Sequence, residues 1–268
     1  MKRIDFTTSL ILSLCFLGIC PLKAQNQNPG IEFKINYVHT IPVGRAAVNI
    51  NPGGGLAFET IYKPENSRFA YGMDLGMIEY GLHKEDVKYP IDAQNQIDAE
   101  MAVMNCQAFL NLIGRLNLTQ SSQVKPYLQT KLGLNYFWTP LRIYDPESSN
   151  QDDCQNTLEK AILAKDILPS GSIGMGVSAD LSFLFKSSCN RSGVLHLDVQ
   201  ANYTHGPSFR HMNVKNAYIP VNNPSTTKSG LNNSGKKQEV IHEYYQGNSY
   251  LSPLRMIDFR MGLSWLFN

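Results

Sequence analysis

Strict alternation of apolar with polar or small residues, kept up over stretches of ten residues or more, constrains this chain more than any other feature. Alternation at period two places successive side chains on opposite faces of a β-strand. In LRMIDFRMGLSWLF at 254–267, Ile257, Phe259, Met261, Leu263, Trp265 and Phe267 share one face. Met256, Asp258, Arg260, Gly262 and Ser264 share the other. Segment 193–205 sets Leu195, Leu197, Val199, Ala201 and Tyr203 against His196, Asp198, Gln200, Asn202 and Thr204. Segment 172–185 and segment 103–117 do the same, and 31–40, 54–62, 69–81 and 125–138 follow with more noise. That makes about eight strands, each long enough to cross a bilayer when tilted.

The links add a second regularity. Those at 63–68, 118–123 and 186–192 are short, polar and rich in turn formers, whereas 41–53, 82–101, 139–171 and 206–253 are longer. Short turns alternating with long loops are what a transmembrane barrel shows, with the termini and turns periplasmic and the loops extracellular. The expected fold is therefore all-β: a closed antiparallel up-and-down transmembrane β-barrel of about eight strands with a polar interior.

Two observations set the apolar face outward. The strands are longer than those of soluble sheets. Aromatics also collect at both ends of the apolar face, Trp265 and Phe267 at one and Tyr136 and Trp138 at the other, as interfacial girdles do. A barrel of this size is just wide enough to be filled by side chains. The inward face then carries Glu32, Lys34, Glu59, Asp74, Arg115, Lys131, Asp180, Asp198, Asp258 and Arg260. Buried charges have to be paired, so these residues are expected to form an internal salt-bridge network, with a narrow gated path as the alternative.

Residues 1–24 read as a signal peptide, with Lys2 and Arg3 ahead of the apolar run Ser9 to Ile19 and cleavage after Ala24. Residues 25–268 then form the barrel. A lipid anchor at Cys20 is disfavoured by Ile19, where a small residue is expected. The remaining cysteines, Cys106, Cys154 and Cys189, are odd in number and are expected to be unpaired thiols. A formal net charge of +2 over 268 residues, with no basic cluster, does not imply nucleic acid as a partner.

Taken together, the signal, the alternating strands, the alternating links and the terminal LSWLF resemble the small bacterial outer-membrane barrels. The last strand is similar to the signal read by the barrel-assembly machinery of that class, with Phe267 penultimate because Asn268 follows. Gln25 after Lys23-Ala24 resembles secreted proteins of the Bacteroidetes type. Similar barrels there form a group of outer-membrane β-barrel proteins, some of them accessory subunits of a secretion apparatus. The resemblance implies outer-membrane lipid, the assembly machinery and a membrane or periplasmic protein as partners. It is architectural and assigns no functional residue.

Candidate chemistry is sparse, and neither a catalytic residue nor a cofactor or metal site is assigned. His39, His83, His205, His211 and His242 fall at strand ends or in long links. Ser208 with His205 or His211 and Asp86 could compose a rim hydrolase of lipids or peptides. No spacing sets a nucleophile beside a base, and solvated histidines are the expectation. His205 and His211 lack a third metal ligand. NPGGG at 51–55 has no Lys-Ser/Thr after it and is a link, not a phosphate loop. NTLEKAILAKDIL at 156–168 predicts a short amphipathic helix capped by Asn156, either a lid or a partner-binding surface. The expected role is a barrel that presents loops or docks a neighbouring protein, with a secretion accessory as one version.

Overall fold

Each strand uses up the backbone donors and acceptors of the next, and the last does so with the first. The structure, a computed structural model, describes residues 29–90, 95–119, 123–145, 157–181, 193–214 and 249–267. Its strands are β1 (Gly30–Pro42), β2 (Gly53–Lys63), β3 (Phe69–Pro90), β4 (Gln96–Asn117), β5 (Val124–Tyr144), β6 (Thr157–Asp180), β7 (Gly193–Met212) and β8 (Ser249–Phe267). A four-residue helix, α1 (Ala46–Asn49), lies between β1 and β2. All neighbours are antiparallel, and β8 pairs with β1, so the sheet is a closed barrel. This is the all-β up-and-down fold that the alternation predicts.

Strand number and stagger fix the barrel's width. A path perpendicular to the strands runs from Glu32 through Ile61, Gly72, Ile113, Lys131, Ser172, Thr204 and Met256. It returns to β1 at Pro42, ten residues above its start. Eight strands with that stagger tilt by about 40° and enclose a backbone cylinder of about 8 Å radius.

In the half nearer the chain termini the apolar face points out. Ile35 is 58% exposed on the outside, while Glu32 and Asn36 on the same strand are 0% exposed. From Phe267 up to Ile257 the outward residues of β8 make an apolar band about 25 Å tall. Trp265 and Phe267 stack at its lower edge and Tyr136 and Trp138 at its upper edge.

Strands β3 to β6 continue well above that band, and there charged residues appear on the outer face, with Leu82, Leu158 and Ile162 among them, while the inner face turns apolar. Lys84, Asp86 and Lys88 on β3, Asp98 on β4, Arg142 on β5 and Lys160 on β6 face outward. Inward, Ala99, Met101, Val103, Leu141 and Ile143 form an apolar cluster with Met212 and Val214, against which Val87, Tyr89, Ala161 and Leu163 pack.

This continuation corrects the link boundaries. Residues 82–101 are mostly hairpin, with only 91–95 between β3 and β4, and residues 139–144, 157–171, 206–212 and 249–253 are strand. Apart from the very long 213–248, the links at the two ends are of similar length. Residues 157–168 are not a helix. Their i, i+4 apolar spacing is overridden by a ladder in which Pro140 to Tyr144 of β5 pair with Ile162 to Thr157. The β6–β7 ladder stops at Gly171–His205. Just above it stand Pro169 and Pro207, which have no N–H to donate. The signal segment, Asn156, Cys154, Cys189, His242 and the middle of 206–253 lie outside the described residues. Cys106 is a free, buried thiol.

One inward glycine makes room for a ring. A Cβ on Gly176 would fall 2.4 Å from the Tyr127 ring, its register partner on β5. Gly176→Val is therefore expected to destabilise the barrel by about 1–3 kcal/mol. A lower urea midpoint for unfolding in detergent checks it; an unchanged midpoint contradicts this packing.

Candidate functional site

Inward side chains from four other strands, β4, β5, β7 and β8, converge on one carboxylate, Glu59 of β2. It accepts hydrogen bonds from Lys131 at 2.8 Å, Gln200 at 3.0 Å, Arg115 at 3.3 Å and Arg260 at 3.4 Å. Its register neighbour Asp74 takes Lys131 at 2.9 Å, Arg260 at 2.9 Å and the Asn111 amide at 3.2 Å. Below them Lys34 bonds Asp198, whose other oxygen accepts the Tyr127 hydroxyl at 2.7 Å. Arg115 lies 3.9 Å over the Tyr127 ring, a cation–π contact strengthened by burial. Above them Asp258 is held by Thr40 at 2.7 Å and lies 3.8 Å from Arg260.

Of the ten residues the sequence singles out for the interior, nine lie in this cluster, all buried. The tenth, Asp180, is half-buried at the end of β6 opposite His196. The cluster also includes a residue that the sequence reading left in a link: Lys63, 2.6 Å from Glu32. It shares parity with Glu59 and Ile61 on β2, the signal that could have found it. With Lys63 counted, five carboxylates (Glu32, Glu59, Asp74, Asp198, Asp258) face five cations (Lys34, Lys63, Arg115, Lys131, Arg260). The interior charge is balanced.

Above the charges the lumen holds an apolar cluster, beside a few buried polar groups such as Gln107 and Asn135, which bond each other. Val38, Ala57, Ile78, Tyr80, Phe109, Phe137, Leu168, Phe209, Leu254 and Met256 make up the cluster, with Ala46 and Ile50 from α1 and the residue after it. Phe137 stacks on Phe209 at 4.3 Å and meets Tyr80 edge-on at 6.4 Å. Between the two layers a small polar space, on the scale of one water molecule, is lined by residues including Asn111, Ser172, Asp258 and Arg260. Across the axis side chains from different walls meet, Arg260 with Asp74 and Lys34 with Asp198 in the charged layer and Phe137 with Phe209 above it. The sequence reading missed this apolar plug because Phe109, Phe137 and Phe209 interrupt an inward face that is otherwise polar.

The rim hydrolase does not assemble. His205 and Ser208 are exposed on the outer face of β7, and Asp86 is exposed on β3, which is not a neighbour of β7. His211 instead points inward, its Nε2 3.1 Å from the Ser252 hydroxyl, with both residues buried. Among the described residues no carboxylate is hydrogen-bonded to His211, so none orients the ring. His83 lies 3.6 Å from Glu85, and His39 is half-buried on β1. No group of three or more metal-binding side chains lies among the described residues.

Comparison with solved structures finds similarity to Neisserial surface protein A, at 10% identity and a TM-score of 0.37, over 90% of this chain and 97% of that one. The attachment invasion locus protein Ail of Yersinia pestis is similar at 7% identity and a TM-score of 0.30, over 89% and 97% of the two chains. Ail in complex with the heparin analogue sucrose octasulfate gives 6% identity and the same TM-score of 0.30, again over 89% and 97%. No family model matches the chain, and no curated protein matches it.

Removing the hub should expose what the balance is worth. Glu59→Ala leaves the buried cations Lys131, Arg115 and Arg260 one carboxylate short, with Asp74 still on Lys131 and Arg260. It is expected to cost about 3–5 kcal/mol. Adding Lys131→Met should recover a large part of that loss, as read from urea midpoints of the single and double variants. Equal destabilisation by both would mean that charge compensation is not what matters at Glu59.

Proposed function

We propose that this chain is an integral barrel of the bacterial outer membrane that works by presenting a docking surface at its loop end. The polarity inversion carries the reading. Along a single strand such as β3 the outward residues are apolar from Phe69 to Met77, then charged from Lys84 to Lys88. Water on both sides of the sheet would give no reason for that switch. A hydrocarbon layer ending near Glu79 does, and the apolar band has the height of such a layer. A closed barrel also leaves no unpaired edge to meet lipid.

We take the termini to be periplasmic, a reading supported by the long 213–248 link at the opposite end; the wall made by the upper halves of β3 to β6 then stands outside the cell. The filled lumen argues for a role carried by this wall and not by transport, and the buried His211–Ser252 pair argues against rim catalysis. The partner is a neighbouring protein at the outer membrane, and a protein-secretion apparatus is one setting in which such an accessory barrel would serve.

Orientation is tested in a variant whose native cysteines are replaced by serine. Lys88→Cys should react with an impermeant maleimide on intact cells, and Ser67→Cys only after permeabilisation; the reverse pattern would overturn the orientation. Docking is tested by pull-down from native membranes in mild detergent. The full chain should retain a protein partner that is lost when the upper β3–β4 hairpin is shortened. Recovery of the barrel alone, or of the same partner without the hairpin, counts against this role.

A further inference from the structure

Charge on the outer surface is unevenly distributed just above the apolar band. On the β3–β4 wall the cations are already paired, Lys84 with Glu100 at 2.7 Å and Lys88 with Asp98, and Glu79 and Asp86 add exposed negative charge. The arc formed by β7, β8 and the start of the β1–β2 link is different. It carries Arg45, His205, Arg210 and Arg255, all exposed. Among the described residues none of these four side chains has an ion-pair partner, and no carboxylate faces outward on β1, β7 or β8. On the neighbouring strand β6 the half-buried Asp166 accepts the Arg210 backbone N–H and forms no ion pair with the Arg210 side chain among the described residues.

The arc is tied together by the barrel itself. His205 and Arg255 are direct register partners on β7 and β8. The Arg255 carbonyl accepts the Val43 N–H at 2.9 Å, which anchors the segment leading to Arg45. On the same outer face the residues immediately below are Tyr203 and Ile257, the top of the apolar band. The Arg255 guanidinium and the His205 ring set directly above a greasy surface, with Arg210 further up β7 and Arg45 two residues beyond Val43, match the two ends of one kind of molecule, a lipid with an anionic phosphate headgroup. The acyl chains lie against the band, and the forked donors of arginine receive phosphate oxygens.

We propose that the arc Arg45–His205–Arg210–Arg255 binds the phosphate groups of an anionic lipid in the leaflet facing the loop end. This rests on the membrane placement above. The ligand is the headgroup of a lipid held in the bilayer, not free phosphate.

The test folds the mature chain into phosphatidylcholine vesicles containing a minor fraction of diphosphorylated lipid A. The barrel is then extracted in mild detergent and the lipid A retained per barrel is counted by native mass spectrometry. Wild type should retain lipid A, and Arg45→Gln/Arg210→Gln/Arg255→Gln should retain less by about tenfold or more. Lys84→Gln/Lys88→Gln, on the opposite wall, should match wild type, as should protease resistance of all variants in vesicles. Dephosphorylated lipid A should not be retained, and excess inorganic phosphate should not displace the diphosphorylated form. Equal retention by the arc variant, equal retention of the dephosphorylated lipid, or full displacement by phosphate each overturns the proposal. Failure of wild type to float with the vesicles would instead overturn the membrane placement, so the two failures are told apart.

Discussion

Pairing of β8 with β1, from Ile31–Phe267 to Pro42–Met256, is the constraint on which the rest of the structure depends. It removes both edges of the sheet, so every strand backbone within the band has a neighbour on each side. It also fixes the radius, because strand number and stagger leave no freedom in the width. At that width long side chains from opposite walls meet across the axis. Arg260 of β8 reaches Asp74 of β3 and Glu59 of β2, and Lys34 of β1 reaches Asp198 of β7. A wider ring would leave those charges facing water in a channel, and a narrower one could not hold them.

Within this cylinder the side chains are sorted by height. Balanced charge fills the half nearer the termini, an aromatic plug closes the half above, and the raised walls of β3 to β6 enclose a third, apolar layer. The outer surface follows the opposite order, apolar low and charged high. The inward charges are thus matched to one another, while the outward face goes from apolar to largely charged with height.

The parts of this legible in the sequence were those where one strand face is uniform. Ile257 to Phe267 and Leu195 to Tyr203 keep a single apolar stripe, so strand, face and inward charges follow directly from parity. The upper walls look like loops in the sequence because their outward face is charged: the outward apolar stripe of β3 ends at Met77 although alternation continues through Tyr89. The stretch 157–168 satisfies helical and strand spacing equally, and only its neighbour β5 decides between them. Lys63 was hidden by an early strand boundary. The arc of cations is invisible in the sequence for another reason: His205 and Arg255 lie fifty residues apart and become neighbours only through the β7–β8 pairing, and Val43, two residues before Arg45, is brought to Arg255 only by the closure of β8 on β1.

The balanced interior has a consequence for how the molecule is assembled. Strands β1 to β5 contribute Glu32, Glu59 and Asp74 against Lys34, Lys63, Arg115 and Lys131, an excess of one positive charge. Strands β7 and β8 contribute Asp198 and Asp258 against Arg260, an excess of one negative charge. Neither part of the polypeptide can dehydrate its own ionised groups without a remainder. The late-synthesised strands therefore act as the counterion of the early ones, and expulsion of water from the axis has to wait for the carboxy-terminal hairpin to arrive.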